Sequence, residues 1–426
     1  RWRARILAAR PRRRLRAHRT RGLRIGLHGI YWMKSVRGWR PGTGASLATH
    51  WRSVMALPGK PSRRTAAMAV SSVVLCMLSA SAAAVPSSLY VFGDSLSDNG
   101  NLYAWTSNPS NPVTFGLPIP VSPPYEQGTF TNGPVYAERL WDRLGLPGEL
   151  APAALPGGTN HAVGGARSRY HSFDVGPDGL PPLVWPANFA SFSLTGQFQG
   201  YRDGLAGGAA DASALYLVWA GANDLQDVLR LAQLSGPAAA GARLAEAVGD
   251  VAGVIGGLVG LGARQLLVPT VPDIGALPVV AAFGAQAQGI ARQYSIAFNQ
   301  AIDQALQSFA GIPALEVLRF DAFGLLDEVV RDPAANGFTD IDTACLQGLY
   351  IAPTPGAPAP TICSNPDEHL FWDVVHPSAA AHVILADEMY REVRTAFVPE
   401  PPLPALLVVG ALFLGVFRRL RLTRPL

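Results

Sequence analysis

Four short apolar runs lie in the central part of the chain, each bounded by turn-forming or polar residues. They cover residues 88–94, 214–220, 265–270 and 314–320. Runs of this length and composition are typical of strands that are buried on both faces. Between them, residues 238–262 and 286–309 place apolar side chains at helical spacing. This alternation predicts an α/β fold in which helices cover both faces of a central parallel sheet.

Two long segments, roughly residues 104–136 and 343–370, lack this periodicity and are rich in Pro and Asn. They are too long for simple connections, so we expect them to shape a substrate cleft. In open parallel sheets, sites form beyond the carboxyl ends of the strands. The residues that follow each apolar run are therefore the first candidates for chemistry.

The charge of the chain is unevenly distributed, which changes the meaning of its net value of +5. Residues 1–67 hold 16 Arg, 2 Lys and no acidic residue, and residues 418–426 hold four more Arg. All 30 acidic residues of the chain lie between these two ends, together with only 13 Arg, so this central part is acidic. An acidic body binds phosphate poorly, which argues against nucleic acid as the main partner.

The N-terminal part of the chain predicts export. Residues 1–59 show no strand or helix periodicity, and we expect this Arg-rich extension to lie outside the mature protein. Residues 60–84 have the three parts of a signal peptide, with cleavage expected before Val85. The basic start holds Lys60, Arg63 and Arg64, the apolar run covers residues 66–78, and Ala82 to Ala84 are the small residues before the cleavage site. Residues 85–396 would then form the mature domain.

Cysteine usage agrees with an oxidising compartment. Cys76 lies in the predicted signal peptide, which leaves Cys345 and Cys363 as a pair. We expect a disulfide, which would close a loop of about 19 residues and stabilise the fold by roughly 3 kcal/mol. Two free thiols are the alternative. The chain has no CxxC or HExxH motif beside them, and we expect neither a metal nor a cofactor.

Residues 397–426 carry a second sorting element. Its parts are a Pro-rich break of Val398, Pro399, Glu400 and Pro401, an apolar run over 403–417, and an Arg cluster. A helix over that run would extend about 22 Å, short of the roughly 30 Å hydrocarbon core of a bilayer. The tail resembles a PEP-CTERM sorting signal. The resemblance implies a Gram-negative envelope protein, on the outer surface or secreted, that meets the export machinery and an exosortase. The alternatives are a single-span anchor and a buried helix.

Polar clusters follow two of the apolar runs, and a third lies near the C-terminus. The sequence GDSLSDNGN places Ser95 at a strand end, opening toward a predicted helix N-terminus whose amides would favour a developing anion. Asn223 follows the second run within GAND. Asp373 and His376 are three residues apart, so they fit on one turn, where the carboxylate can orient the imidazole. The imidazole would then serve as general base toward Ser95.

The blocks FGDSLSDNGN, NHAVGGA, GANDL and FWDVVHP, in that order, resemble the GDSL family of the SGNH hydrolase superfamily over about residues 88–396. The resemblance implies a flavodoxin-like three-layer α/β/α sandwich. It also implies an esterase or lipase that hydrolyses an ester or lipid substrate through an acyl-enzyme. In that family Ser95 corresponds to the nucleophile, His376 to the general base and then acid, and Asp373 to the partner of the histidine.

The same resemblance implies an oxyanion hole. Its donors would be the backbone N–H groups of Ser95 and Gly165 and the side-chain amide of Asn223. The doubled glycine leaves Gly164 as an alternative to Gly165.

Other interpretations stay open from the sequence. A second hypothesis keeps this chemistry but acts on an acetylated polysaccharide of the envelope, as an O-acetyl esterase or acyltransferase, and a third is a non-catalytic anchored surface protein. Near the nucleophile, we expect the hydroxyl of Ser97 to cap the turn, and Asp94 and Asp98 to bond local backbone amides. His382 is expected on the helix that follows His376.

Overall fold

The computed structural model describes residues 85–111, 114–171, 190–348 and 359–397. The predicted N-terminal extension, the predicted signal peptide and the sorting motif from Val398 to Pro401 lie outside these residues. These three assignments therefore stay predictions.

A four-stranded parallel sheet forms the centre of the described domain, in the order β1-β2-β3-β4. The strands are β1 (Leu89–Gly93), β2 (Leu215–Trp219), β3 (Gln265–Leu267) and β4 (Glu316–Leu318). Each lies within one of the predicted apolar runs. On the outer side of β1, His161 donates its N–H to Val91 O at 2.7 Å and Val163 donates to Gly93 O at 3.2 Å. The residues around His161 thus continue the sheet beyond β1 as an irregular edge.

Helices connect these strands and follow the last of them. They are α1 (Asn101–Thr106), α2 (Tyr136–Arg143), α3 (Leu194–Gly204), α4 (Ala222–Leu234), α5 (Pro237–Leu261), α6 (Pro278–Ala281), α7 (Ala285–Leu306), α8 (Ala322–Arg331) and α9 (Ala379–Phe397). The helices predicted over 238–262 and 286–309 are α5 and α7. Helix α5 ends where Gly262 takes a left-handed conformation, with φ of 115°, which glycine adopts without steric cost.

The sheet has an apolar core on each face. Successive side chains of a strand point to opposite faces, and β2 follows this rule. Tyr216 and Val218 pack with residues of α3, α4, α5 and α7, whereas Leu215, Leu217 and Trp219 pack with residues of α2 and α9. The predicted three-layer α/β/α sandwich with a parallel central sheet is confirmed.

Among the described helices, α5 is long and apolar enough to cross a membrane by length and composition. Core helices of globular domains meet the same criterion. Helix α5 buries Val251, Ile255 and Leu258 in the core that covers one face of the sheet. We therefore interpret it as a core helix.

Short strands lie in the segment predicted to be irregular between residues 343 and 370. Strand β5 (Asp340–Ala344) pairs in parallel with β8 (His369–Phe371), and β6 (Leu346–Gln347) pairs antiparallel with β7 (Thr361–Ile362). Cys345 and Cys363 are joined by a disulfide beside this second pair. These strands have only two to five residues, too few to give a clear periodic signal, which is why the sequence did not predict them.

Candidate active site

The end of β1 is held rigidly against its neighbours. A Cβ atom at Gly93 would lie only 2.4 Å from the carbonyl oxygen of Trp219, so only glycine fits there. The side-chain amide of Gln197 in α3 accepts from Gly93 N–H at 2.9 Å and donates to Gly93 O at 2.7 Å. Ser95 follows in a turn and is 8% exposed. The position of its hydroxyl is thus fixed by a tightly packed strand end.

Two expectations about the turn after β1 were wrong. Helix α1 begins only at Asn101 and has six residues, so Ser95 does not open directly onto a helix N-terminus. Instead, the N–H groups of Ser97 and Asp98 close the turn on Asp94 O, each at 3.0 Å. The hydroxyl of Ser97 does not cap this turn, because its side chain points into the core and bonds the hydroxyl of Tyr136 at 2.6 Å.

The carboxylates of Asp94 and Asp98 bond backbone amides, as predicted. Asp94 accepts from Leu96 N–H at 3.1 Å, and Asp98 accepts from Asn101 N–H and Gly164 N–H, each at 2.7 Å. Burial raises the pKa of both carboxyl groups to about 6, although these bonds favour the charged forms. Through Asp98, the turn that carries Ser95 is tied to the segment that carries the two adjacent glycines.

No group of three or more His, Cys, Asp or Glu side chains is arranged to hold a metal ion within the described part of the chain.

Three side chains that the sequence singled out lie in one hydrogen-bonded chain. His376 Nε2 lies 2.8 Å from Ser95 Oγ, and His376 Nδ1 lies 2.7 Å from Asp373 Oδ2. Because an ionised carboxylate only accepts, Nδ1 carries the hydrogen and Nε2 accepts from the Ser95 hydroxyl. The fold brings Ser95 to His376 across 281 positions of the sequence.

The carboxylate of Asp373 accepts four hydrogen bonds. The N–H groups of Val375 and His376 donate to Oδ1 at 2.8 and 2.7 Å, and the imidazole of His376 and the hydroxyl of Tyr125 donate to Oδ2. Burial alone would raise the pKa of Asp373, but its electrostatic interaction with His376 and these bonds outweigh burial and hold the pKa below its usual value. The carboxylate is therefore kept ionised while almost fully buried.

Tyr125 is a site residue that the sequence reasoning missed. Its hydroxyl lies 2.6 Å from Asp373 Oδ2, and its ring is 3% exposed. Burial, followed by the charge of Asp373, raises its pKa well above the usual value, so the phenol stays protonated and donates. No local motif marks this tyrosine, because the contact joins residues 248 positions apart.

The chain after Tyr125 also supports the loop of His376. The ring of Phe130 lies 5.3 Å from the imidazole of His376. Thr131 donates its hydroxyl to Pro377 O at 2.9 Å, and Ala379 N–H donates to Asn132 Oδ1 at 2.8 Å. The long segment predicted to shape a cleft thus contributes directly to the position of the imidazole.

His382 lies on α9, as predicted, and is buried away from this chain of hydrogen bonds. Its Nδ1 accepts from Tyr136 N–H at 3.1 Å, and burial lowers its pKa to about 3. His382 therefore acts as a neutral core histidine.

The side chain of Asn223 lies at the start of α4, beside Ser95 and His376 on the wall of one pocket. One of its amide hydrogens is used by Ala166 O at 3.0 Å, which fixes the orientation of the amide group. The other hydrogen can be donated to a ligand. Asp224, the next residue, is fully buried and accepts from Arg243 at 2.6 Å, which anchors the start of the helix.

The two adjacent glycines differ in their surroundings. Gly164 donates its N–H to Asp98, and a Cβ atom there would lie 2.2 Å from Phe130. Its amide is thus already used within the protein. Gly165 has φ of 79°, a left-handed conformation that other residues adopt only with strain. Because its N–H already serves Asp98, Gly164 is the weaker candidate for the glycine donor to a bound oxyanion.

Comparison with known proteins gives relatives over most of the described domain. Esterase EstA of Pseudomonas aeruginosa is 30% identical over 348 residues, which cover 75% of this chain and 49% of EstA. A GDSL esterase/lipase of Arabidopsis thaliana is 27% identical, over 71% of this chain and 86% of the relative. The phosphatidylcholine-sterol acyltransferase of Aeromonas hydrophila is also 27% identical, over 71% and 88%.

The chain spans about half the length of the Pseudomonas esterases that it matches. Residues 89–389 match the family model described as GDSL-like Lipase/Acylhydrolase. This range includes the strand end with Ser95, the start of α4 and the loop with Asp373 and His376. The protein therefore belongs to the GDSL-like lipase and acylhydrolase family, as its motifs predicted.

Proposed function

We propose that the protein is a serine carboxyl-ester hydrolase in which Ser95 is the nucleophile, His376 the general base and Asp373 its partner. The observation that carries this proposal is the pair of hydrogen bonds of 2.8 and 2.7 Å that links the three side chains. A nucleophile within reach of a base that is itself oriented by a third group is the arrangement that acyl transfer requires. Membership of a lipase and acylhydrolase family supports the same conclusion.

In the first half of the reaction, Ser95 Oγ attacks the carbonyl carbon of the ester. The hydroxyl proton moves to His376 Nε2, and Asp373 stabilises the imidazolium through its hydrogen bond to Nδ1. The negative charge on the carbonyl oxygen would be stabilised by the N–H groups of Ser95 and Gly165 and by the amide of Asn223. Collapse of this intermediate breaks the ester bond, and the alcohol leaves with the proton from Nε2. An acyl group stays on Ser95.

In the second half, water replaces the alcohol. His376 Nε2 takes a proton from the water as its oxygen attacks the acyl carbon. The acid then leaves, and the proton returns to Ser95 Oγ.

Hydrolysis of p-nitrophenyl acyl esters tests this proposal. We expect Ser95→Ala to lower kcat by roughly 10⁴-fold or more, because the nucleophile is lost. Ser97→Ala is the matched control, since that hydroxyl bonds Tyr136 and not His376. Full activity of the Ser95→Ala variant, or a wild-type protein that cleaves none of the esters, would refute the proposal.

Acyl transfer to an alcohol is a second candidate, favoured by the relative named phosphatidylcholine-sterol acyltransferase. The acyl-enzyme would be the same, but an alcohol rather than water would receive the acyl group. Adding a long-chain alcohol or a sterol to the assay and measuring the new ester separates the two activities. A non-catalytic surface protein has no comparable support, given the family and the assembled side chains.

We also propose that the protein is exported to the cell envelope. The three-part signal over residues 60–84 and the tail from Val398 support this through their composition. A disulfide between Cys345 and Cys363 suits an oxidising compartment. The partners would be the export machinery and an exosortase-type processing enzyme.

A further inference from the structure

One pocket extends from Ser95 into the domain, and its polar and apolar side chains are separated. The polar ones are Asp94, Ser95, Asn223, Gln226 and His376, which lie on the turn after β1, at the start of α4 and on the loop before α9. All other lining residues are apolar or aromatic, and many belong to α8 and α9. A pocket with this division accepts a ligand that is polar at one end and hydrocarbon at the other.

The direction of the pocket follows from the order of the strands beneath it. Ser95 follows β1 and α8 follows β4, and these are the two outermost strands of the sheet. Trp219, which ends β2, and Pro272, which comes after β3, also line the pocket. The pocket therefore runs across the carboxyl ends of the strands, from Ser95 to α8. Three inter-strand spacings cover about 14 Å, which is enough for an extended octanoyl chain.

Val329, on α8, and Phe338 both line the pocket, and they are only 4% and 2% exposed. Phe338 lies two residues before β5, whose first residue pairs with His369 at the start of β8, so it lies near the end of β8 that is farther from Asp373. Exposed Val330 comes next to Val329 on α8 but does not line the pocket. The wall of the pocket on the side of α8 is thus made of buried side chains of definite size.

We propose that this pocket holds the acyl chain of the substrate, and that its depth selects medium-chain acyl esters over acetyl esters. The inference rests on the proposed function, since only an acyl group bound to Ser95 would have its chain placed here. An acetyl group would leave the apolar walls without a ligand. A single methylene in an apolar pocket changes discrimination by about tenfold or more, so several should dominate the choice of substrate. The chemistry of the pocket therefore favours lipid-like esters over O-acetylated polysaccharide.

The test compares kcat/KM for p-nitrophenyl acetate, octanoate and palmitate in the full protein and three variants. Val329→Phe shortens the pocket, Val329→Ala deepens it, and Val330→Phe is the control with the same change on the exposed side of α8. In the wild type we expect octanoate to exceed acetate by at least about tenfold. Val329→Phe should reduce that ratio by about tenfold or more and leave acetate hydrolysis within about twofold.

Val329→Ala should move the preference from octanoate toward palmitate, and Val330→Phe should keep the wild-type ratios. A wild type that prefers acetate would overturn the inference. So would an unchanged octanoate-to-acetate ratio in an active Val329→Phe protein. If Val329→Phe loses acetate hydrolysis as well, the variant is misfolded and the Val329→Ala result decides. Failure of the proposed function is distinct, because the wild type would then cleave none of the three esters.

Discussion

At the scale of single residues, the charge of Asp373 depends on donors from two distant parts of the chain. Its own turn supplies the N–H groups of Val375 and His376, whereas Tyr125 reaches it from the segment before α2. All of these bonds favour the ionised carboxylate, which must stay charged to stabilise the imidazolium of His376. We therefore regard Tyr125 as a positioning residue that acts through Asp373.

Tyr125→Phe should reduce kcat by about tenfold, since a hydrogen bond to a charged group is lost. The pKa of Asp373 should rise when this donor is removed, so the carboxylate becomes protonated at a higher pH during acidification. The acid-side loss of activity should move to higher pH in the kcat profile. Tyr136→Phe, which removes a buried hydroxyl bonded to Ser97, is the control and should keep the wild-type acid limb. Superimposable profiles for Tyr125→Phe and the wild type would contradict this role.

The sequence predicted the residues of the site that lie in local motifs and missed those that depend on distant contacts. Ser95, Asn223, Asp373 and His376 lie in short motifs that follow a strand or share a turn, so these motifs and their resemblance to the GDSL family identified them. Tyr125 and Gln197 reach the site across 248 and 104 positions. Their surroundings exist only once the chain has folded, and no pattern around either residue marks it.

At the scale of elements, the disulfide ties the short paired strands β6 and β7 to each other, close to the surroundings of Asp373. Cys345 is fully buried and packs with Tyr125 and Trp372. Cys345 N–H also donates to Phe371 O at 3.1 Å, two residues before Asp373. This pair of strands thus forms part of the support of the site.

Replacing both Cys345 and Cys363 by alanine should lower the free energy of unfolding by about 3 kcal/mol, because the unfolded chain gains the freedom of an open loop of about 19 residues. Urea denaturation of the two proteins under oxidising conditions measures the difference. As a control, reductant should shift the wild-type midpoint toward that of the variant and leave the variant unchanged. Equal midpoints for the wild type and the variant without reductant would show that the bond contributes nothing.

Elements were predictable where an apolar pattern was long enough to repeat. The strands of the sheet and helices α5 and α7 were found from their periodicity, with ends that differ by a few residues. Helix α1 was misjudged, because the polar sequence after β1 forms a turn closed on Asp94 before the helix begins. Such turns are set by side-chain bonds to backbone amides, which compete with helix formation.

At the scale of the whole molecule, the distribution of charge distinguishes the central part of the chain from its two ends. The basic residues concentrate in residues 1–67 and 418–426, and the part between them is acidic. We expect a protein that lacks residues 398–426 to hydrolyse p-nitrophenyl octanoate at the rate of the full chain, because the site lies before Phe397. Its membrane-bound fraction should fall sharply in the native host, as measured by cell fractionation. Unchanged membrane association would argue against the tail as the sorting element.

Reaction with a fluorophosphonate probe tests the role of Ser95 most directly. The probe forms a covalent bond with an activated serine, and peptide mass spectrometry locates the modified residue. We predict one adduct on the peptide that contains Ser95, much slower labelling in a His376→Ala variant, and none on that peptide in Ser95→Ala. An adduct on another serine, or an unreactive wild-type protein, would contradict the proposed mechanism.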